Sequence, residues 1–362
     1  ETCTGWSCCN ATGQGTYLEN MASNNDAIWP SYKEVHRIMT TESINMPLKS
    51  PQEISKAKAL FRQGLCWISK DKLFKEKQDL YSAPSGFTPW KQILGQLMHY
   101  EMVLPQAIRI GHQCDKETCV ASSYALHYDS PIRNISRNLG EAFLKTSTKG
   151  IIKPPIALEH FIINLPKGLL LDDWDQPLDA LLVMTGICFK RACERQGINP
   201  LLVRNTFDGI YVFGFSNYGT TIIDTSSWSN LNRAKPLLDP YCLPGYETKT
   251  HAACSKMQQI AVHSLLTMAY RPELISESKS TLISTGHSFR DLGKHKQVRN
   301  NIWIGEGFVS KTRKRLESDD REGSPVASHW RRGHWHTYLV GSKREKKILK
   351  WIEPIHVNAE AS

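Results

Sequence analysis

Long apolar runs are what this 362-residue chain most plainly lacks. The longest candidates, residues 161–171 and 180–189, contain Pro166 and Gly186 and fall short of the roughly 20 apolar residues a spanning helix needs. No membrane partner is therefore expected. Glycine loops that cradle phosphates are missing as well: neither G-x-G-x-x-G nor a Walker lysine motif occurs, and G-x-S-x-G is absent. Cysteine is sparse for a disulfide-built scaffold, with 10 residues and no C-x-x-C pair. That pattern reads as reduced, mostly buried thiols in a cytoplasmic protein. The sequons Asn10-Ala11-Thr12 and Asn134-Ile135-Ser136 are weak counter-signals. Residues 1–20 are small, polar and Cys-rich, without the apolar centre of a signal peptide, and are expected to be a disordered extension. There is no internal repeat and no long low-complexity tract.

What is present is the balance of a globular protein, 40% hydrophobic and 22% charged, with enough apolar surface to offset the entropy of ordering. The formal net charge is +10, and it is unevenly spread. Residues 287–350 hold 16 Lys plus Arg against 7 Asp plus Glu, a net of +9. A basic segment of that kind attracts polyanions, or simply forms a solvated face.

The periodicity predicts an α+β fold: a helical N-terminal part, a central antiparallel sheet and a basic C-terminal β-hairpin. Residues 21–150 read as mainly helical. Ser50-Pro51-Gln52-Glu53 caps one helix, and Ile93, Leu94, Leu97, Met98 and Met102 mark another over residues 91–103, stopping before Pro105. Residues 151–277 read as the sheet plus a covering helix. Its strands are expected within 160–171, 180–189, 210–215 and 220–224, the last two joined as a hairpin. The covering helix spans 257–270 and ends before Pro272. Residues 278–324 read as a basic linker, irregular over 279–300, helical over 303–316 and charged and flexible over 317–324. Residues 325–362 form the final module.

Asp172-Asp173-Trp174-Asp175 could suit a metal-dependent nuclease, but such a cluster after a strand is more often a turn. The terminal segment His329-Trp330-Arg331-Arg332-Gly333-His334-Trp335-His336-Thr337-Tyr338 is more distinctive. Residues 335–340 and 347–352 read as paired strands, which places His334, His336 and Tyr338 on one face and Trp335, Thr337 and Leu339 on the other. Arginine beside aromatics suits RNA or another nucleic acid. His-x-His on a strand, with His329 as third ligand, can chelate a metal. The pair His334 and His336 beside a cation could act as acid and base in metal-free RNA cleavage. The plain alternative is a hairpin whose buried Trp closes the domain.

The run H-x-R-R-G-H-W-H, followed by an aromatic residue, a Gly turn, a basic stretch and Trp351…Pro354…Val357-Asn358, closely resembles the C-terminal signature of the second described family of type V-A anti-CRISPR proteins. Asn164-Leu165-Pro166, the 257–270 helix and Trp303-Ile304-Gly305 are weaker similarities. The match is specific over about thirty residues and loose over about another hundred. The resemblance implies an inhibitor from a phage or other mobile element, acting in the bacterial cytoplasm on the type V-A CRISPR effector nuclease. It implies recognition of the effector polypeptide during synthesis and loss of its mRNA, rather than a plugged active site. Motif membership extends to His329, Arg331, Arg332, Gly333, His334, Trp335, His336 and Trp351; Tyr338 joins them as a binding candidate from the strand pattern. No cofactor and no metal is expected, and a homodimer is the first symmetric assembly to look for. The sequence thus points to a non-enzymatic interaction protein, with an RNA-cleaving enzyme as the alternative.

Overall fold

The computed structural model describes residues 72–357 apart from 79, 111–112, 150, 152, 154–155, 157, 173–174, 204–206, 217–220, 227–246, 279–281, 285–294, 298 and 314–327. The expected extension at 1–20, the capped helix at 50–65 and the linker at 317–324 lie outside the described residues. The N-terminal elements are α1 (Lys72–Lys77), α2 (Trp90–Ile110), α3 (Gln113–His127), β1 (Ile132–Ile135), α4 (Arg137–Leu144) and β2 (Thr146–Ser147). The middle comprises β3 (His160–Asn164), β4 (Leu178–Thr185), α5 (Gly186–Arg195), α6 (Pro200–Val203), β5 (Ile210–Ser216), β6 (Thr221–Ser226) and α7 (Glu247–Tyr270). A short 3-10 turn at Pro272–Leu274 leads into β7 (Ile275–Glu277), β8 (Leu282–Ser284), β9 (His295–Gln297), β10 (Ile302–Ile304) and β11 (Lys311–Arg313). The chain closes with β12 (His329–Arg331), β13 (Gly333–Val340), β14 (Lys346–Ile352) and β15 (Ile355–Val357).

The fold is α+β, as the periodicity predicts, but the central sheet is mixed rather than purely antiparallel. Its seven strands run in the order β6-β5-β4-β3-β1-β10-β7. β1 lies parallel to both β3 and β10, and the remaining neighbours are antiparallel. The cause is the helix between β1 and β3: α4 carries the chain back across the sheet, and a crossover of this kind joins parallel strands. Ser136 caps α4, its side chain accepting from the Leu139 backbone N–H.

The middle strands of the sheet are buried on both faces. Ala180, Leu182, Met184, Tyr211, Phe213 and Phe215 share one core with residues of α2, α3 and α5. Leu181, Val183, Ile210 and Val212 point the other way, into a core with α4, α7 and two tryptophans of the C-terminal hairpin. All eight residues of β4 are buried, which is why its sequence shows a continuous apolar run rather than alternation.

Three expected elements are corrected. The strand expected over 180–189 stops at Thr185, whose side chain accepts from Cys188 N–H and starts α5. Gly186 makes this abrupt change fit, since a Cβ there would lie 1.8 Å from the Phe207 carbonyl oxygen. The helix expected to stop before Pro105 continues to Ile110; proline there forfeits one backbone donor while the rest of the helix persists. The helix expected over 303–316 is instead β10 and β11. Ile302, Trp303 and Ile304 pair in register with Arg133, Asn134 and Ile135, and Gly305 leaves the strand at φ +74. Buried β1 draws Ile302–Ile304 into the sheet, and Lys311–Arg313 of the basic run pair in parallel with β15 instead of coiling into a helix. Within 279–300, expected to be irregular, β8 and β9 form a small antiparallel pair. The 210–226 hairpin strands and the 333–352 hairpin stand where expected; the covering helix ends at Tyr270 as expected but begins earlier than residue 257, at Glu247.

Candidate functional site: the C-terminal hairpin

β13 and β14 pair antiparallel, with Trp335 opposite Trp351 and His336 opposite Lys350. The base of this hairpin is set into the body of the protein. Gly333 and His334 add in parallel to Thr146 and Ser147 of β2, and Gly333 N–H donates to the Lys145 carbonyl at 3.1 Å. The approach is so close that a Cβ on Gly333 would lie 2.6 Å from Thr146 Oγ1 and 2.8 Å from Pro354 Cδ. Trp335 and Trp351 are buried and lie near-parallel, their rings 6.2 Å apart. Phe143, Phe308 and Tyr270 surround them.

Both indole N–H groups are satisfied inside the protein. Trp335 Nε1 donates to His263 Nδ1 at 3.1 Å, and His263 Nε2 reaches the Thr146 carbonyl at 3.2 Å. Trp351 Nε1 donates to Thr146 Oγ1 at 3.3 Å, which in turn donates to the Ala142 carbonyl at 2.7 Å. His263 is therefore an Nε2–H tautomer that accepts at Nδ1. Burial pushes its pKa down to about 4, slightly opposed by the bond to Thr146. This chain of bonds answers the requirement that buried Tyr and Trp donors find partners. Nothing in the sequence marked His263 or Thr146; they sit 72 and 117–205 residues from the groups they bind.

The outer row of β13 is different. His334, His336 and Tyr338 are exposed on one face, as the alternation predicts, with His336 and Tyr338 rings 4.6 Å apart and His334 and His336 rings 6.3 Å apart. Lys350 lies 5.7 Å from the Tyr338 ring centre. Arg331 and Arg332 are exposed just before the strand, and Lys343, Arg344, Lys346 and Lys347 are exposed around its turn. Residues 331–350 thus hold seven cations against one carboxylate, Glu345. Thr337 and Leu339, on the opposite face, are exposed too, so the distal half of the hairpin projects beyond the core.

His329 and Arg331 lie on β12, which pairs with β15 rather than with β13. Between them, Trp330 stacks on His356 at 4.7 Å and carries the Lys145 ammonium 3.5 Å from its ring centre. Among the described residues no group of three or more His, Cys, Asp or Glu is placed to hold a metal ion; the set His329, His334 and His336 does not form one. At the acidic cluster, Asp172 Oδ1 accepts from Gln176 N–H at 2.8 Å and Asp172 N–H donates to the Gln176 carbonyl, closing a turn. Asp175, at φ +61, pairs with Lys249. Cys119, Cys188, Cys193 and Cys254 are buried, and burial raises Cys188 and Cys193 to about 11 and 12. No helix among the described residues is long and apolar enough to cross a membrane.

The fold and hairpin together define an α+β protein that displays a basic, histidine-rich β-arm fixed by two buried tryptophans. Residues 178–359, about half the chain, match the AcrVA2-like family model, described as the anti-CRISPR type V subtype A2 family. The chain belongs to that family, whose activity is anti-CRISPR and directed at type V-A systems. No curated protein matches the chain.

Proposed function

We propose that this protein inhibits type V-A immunity by lowering the supply of the effector nuclease in the bacterial cytoplasm. In this reading the body engages the effector polypeptide during its synthesis, and residues 325–362 face the effector's mRNA. The observation that carries it is the division of labour within one hairpin. Gly333, Trp335 and Trp351 hold it in the core, which leaves Arg331, Arg332, His334, His336 and Tyr338 exposed together among the lysines. Guanidinium and ammonium groups bind phosphate, while a tyrosine or imidazole ring stacks on an unpaired base. His329 lies on β12, in the neighbouring three-stranded sheet.

The test measures effector message and effector protein in cells with and without this protein. Both are expected to fall, and to fall equally when the message is recoded synonymously, because the signal would lie in the polypeptide. Unchanged levels would sink the proposal and move the action to the finished effector. Purified protein that cleaves the message unaided would instead make His334 and His336 an acid–base pair.

A further inference from the structure

Away from the hairpin, at the β1–β10–β7 edge of the central sheet, lies an open cavity of about 460 Å³. Tyr81, Pro131, Arg133, Glu277, Arg299, Asn300 and Ile302 line it. The strand register explains its chemistry. Arg133 is opposite Ile302, and Ile302 is opposite Glu277. Directly opposed residues share a face of the sheet, so a guanidinium and a carboxylate flank one isoleucine. Two strand spacings separate their backbones by about 9.5 Å.

Neither charge is closed into a contact ion pair among the described residues, although Glu277 and Tyr81 already favour the charged guanidinium of Arg133. Arg133 makes one hydrogen bond among the described residues, to the Ile132 carbonyl at 3.0 Å. Glu277 accepts one, from Asn300 Nδ2 at 2.6 Å. No ion pair joins the two or engages either one among the described residues. The second cation, Arg299, is already engaged with Tyr81 and Asp129. Arg133 is part-buried, and a guanidinium in that setting has most of its donors unspent.

We propose that this cavity binds a zwitterionic, amino-acid-like group, its carboxylate on Arg133 and its ammonium or N–H group on Glu277, across a floor formed by Ile302. A phosphate dianion fits poorly, because Glu277 would repel what Arg133 attracts. The paired charges have two sources: a free α-amino acid, or neighbouring acidic and basic side chains of a polypeptide. The inference stands on the cavity and does not depend on how effector synthesis is lowered.

The test is an NMR titration of the full chain, following the Arg133 and Ile302 amides, with L-alanine, with acetyl-Gly-Lys-Asp-Gly-amide and with inorganic phosphate. One of the two zwitterionic probes is expected to shift both amides, with phosphate at least tenfold weaker (about the worth of one charge-assisted hydrogen bond). Saturation by L-alanine assigns the free amino acid; saturation by the peptide alone assigns a polypeptide. Arg133→Met and Glu277→Gln should each weaken binding about tenfold. Glu277 is exposed, so Glu277→Gln keeps the test decisive if Arg133→Met fails to fold. Phosphate binding at least as tightly as both zwitterions, silence from both, or full binding by the folded variants would overturn the proposal.

Discussion

The two ends of the C-terminal hairpin have opposite environments, although one motif encodes both. At the base, Trp335 and Trp351 lie in the same core as Phe161, Val183 and Leu265, and every polar atom of the indoles has a partner. At the distal end, Tyr338 and Leu339 are 38% and 51% exposed among solvent-exposed lysines. The alternation of a strand lets eight residues serve both ends: Gly333 and Trp335 face inward, while His334, His336 and Tyr338 face out. The motif is therefore two superposed patterns, one that fixes the arm and one that the arm presents.

The base should be expensive to disturb and the outer row cheap. Trp335→Ala should lower unfolding free energy by about 3–5 kcal/mol in a denaturant titration, the usual cost of removing a buried aromatic. A loss below about 1 kcal/mol would mean the hairpin is not seated as described. Acid should reveal the same base through His263. Burial holds it, like His99, at about 4 against the ordinary 6.5, so each stays neutral in the fold and takes up a proton on unfolding. Stability is then full above pH 6.5 and falls as the pH drops from 6.5 towards 4, by about 3 kcal/mol for each histidine. His263→Leu should remove about half of that slope, while costing about 1–3 kcal/mol at neutral pH because Trp335 N–H and the Thr146 carbonyl lose their partner. An unchanged slope would show that another group titrates.

Gly333→Ala tests the closeness of the base rather than its polarity. The added methyl must displace Thr146 or Pro354, and the expected loss is about 1–3 kcal/mol, read as a lower midpoint at constant m-value. The outer row sharpens the contrast. His334→Ala combined with His336→Ala should change stability by less than about 0.5 kcal/mol yet abolish inhibition in cells. Full inhibition by that folded double variant would take both histidines out of the mechanism. Arg331→Ala with Arg332→Ala should weaken RNA binding and reduce its salt slope by about two charges' worth; an unaltered slope would place the RNA elsewhere.

Regularly spaced features were legible in advance. The hairpin at 333–352, the strands at 210–226 and the helix ending at Tyr270 all follow from periodicity bounded by Gly and Pro. The same reasoning failed at residues 303–316, where Lys and Arg favour a helix but the neighbouring β1 offers Ile302–Ile304 a buried place in the sheet. It stretched β4 beyond Thr185, since a side-chain cap and a glycine approach to Phe207 have no periodic signature. Of the site, the exposed His/Tyr row could be read from the strand alternation, whereas the burial of Gly333 against Thr146 could not.

The sequence by itself determined the α+β class, the basic excess of the last fifth of the chain and the family signature, because local spacing and residue chemistry carry that information. Tertiary structure alone decided that β1 enters between β3 and β10, that His263 and Thr146 receive the two indole N–H groups, and that Arg133 and Glu277 flank Ile302. Each of these depends on partners separated by tens to hundreds of residues, and such meetings are fixed by packing and register rather than by any local pattern.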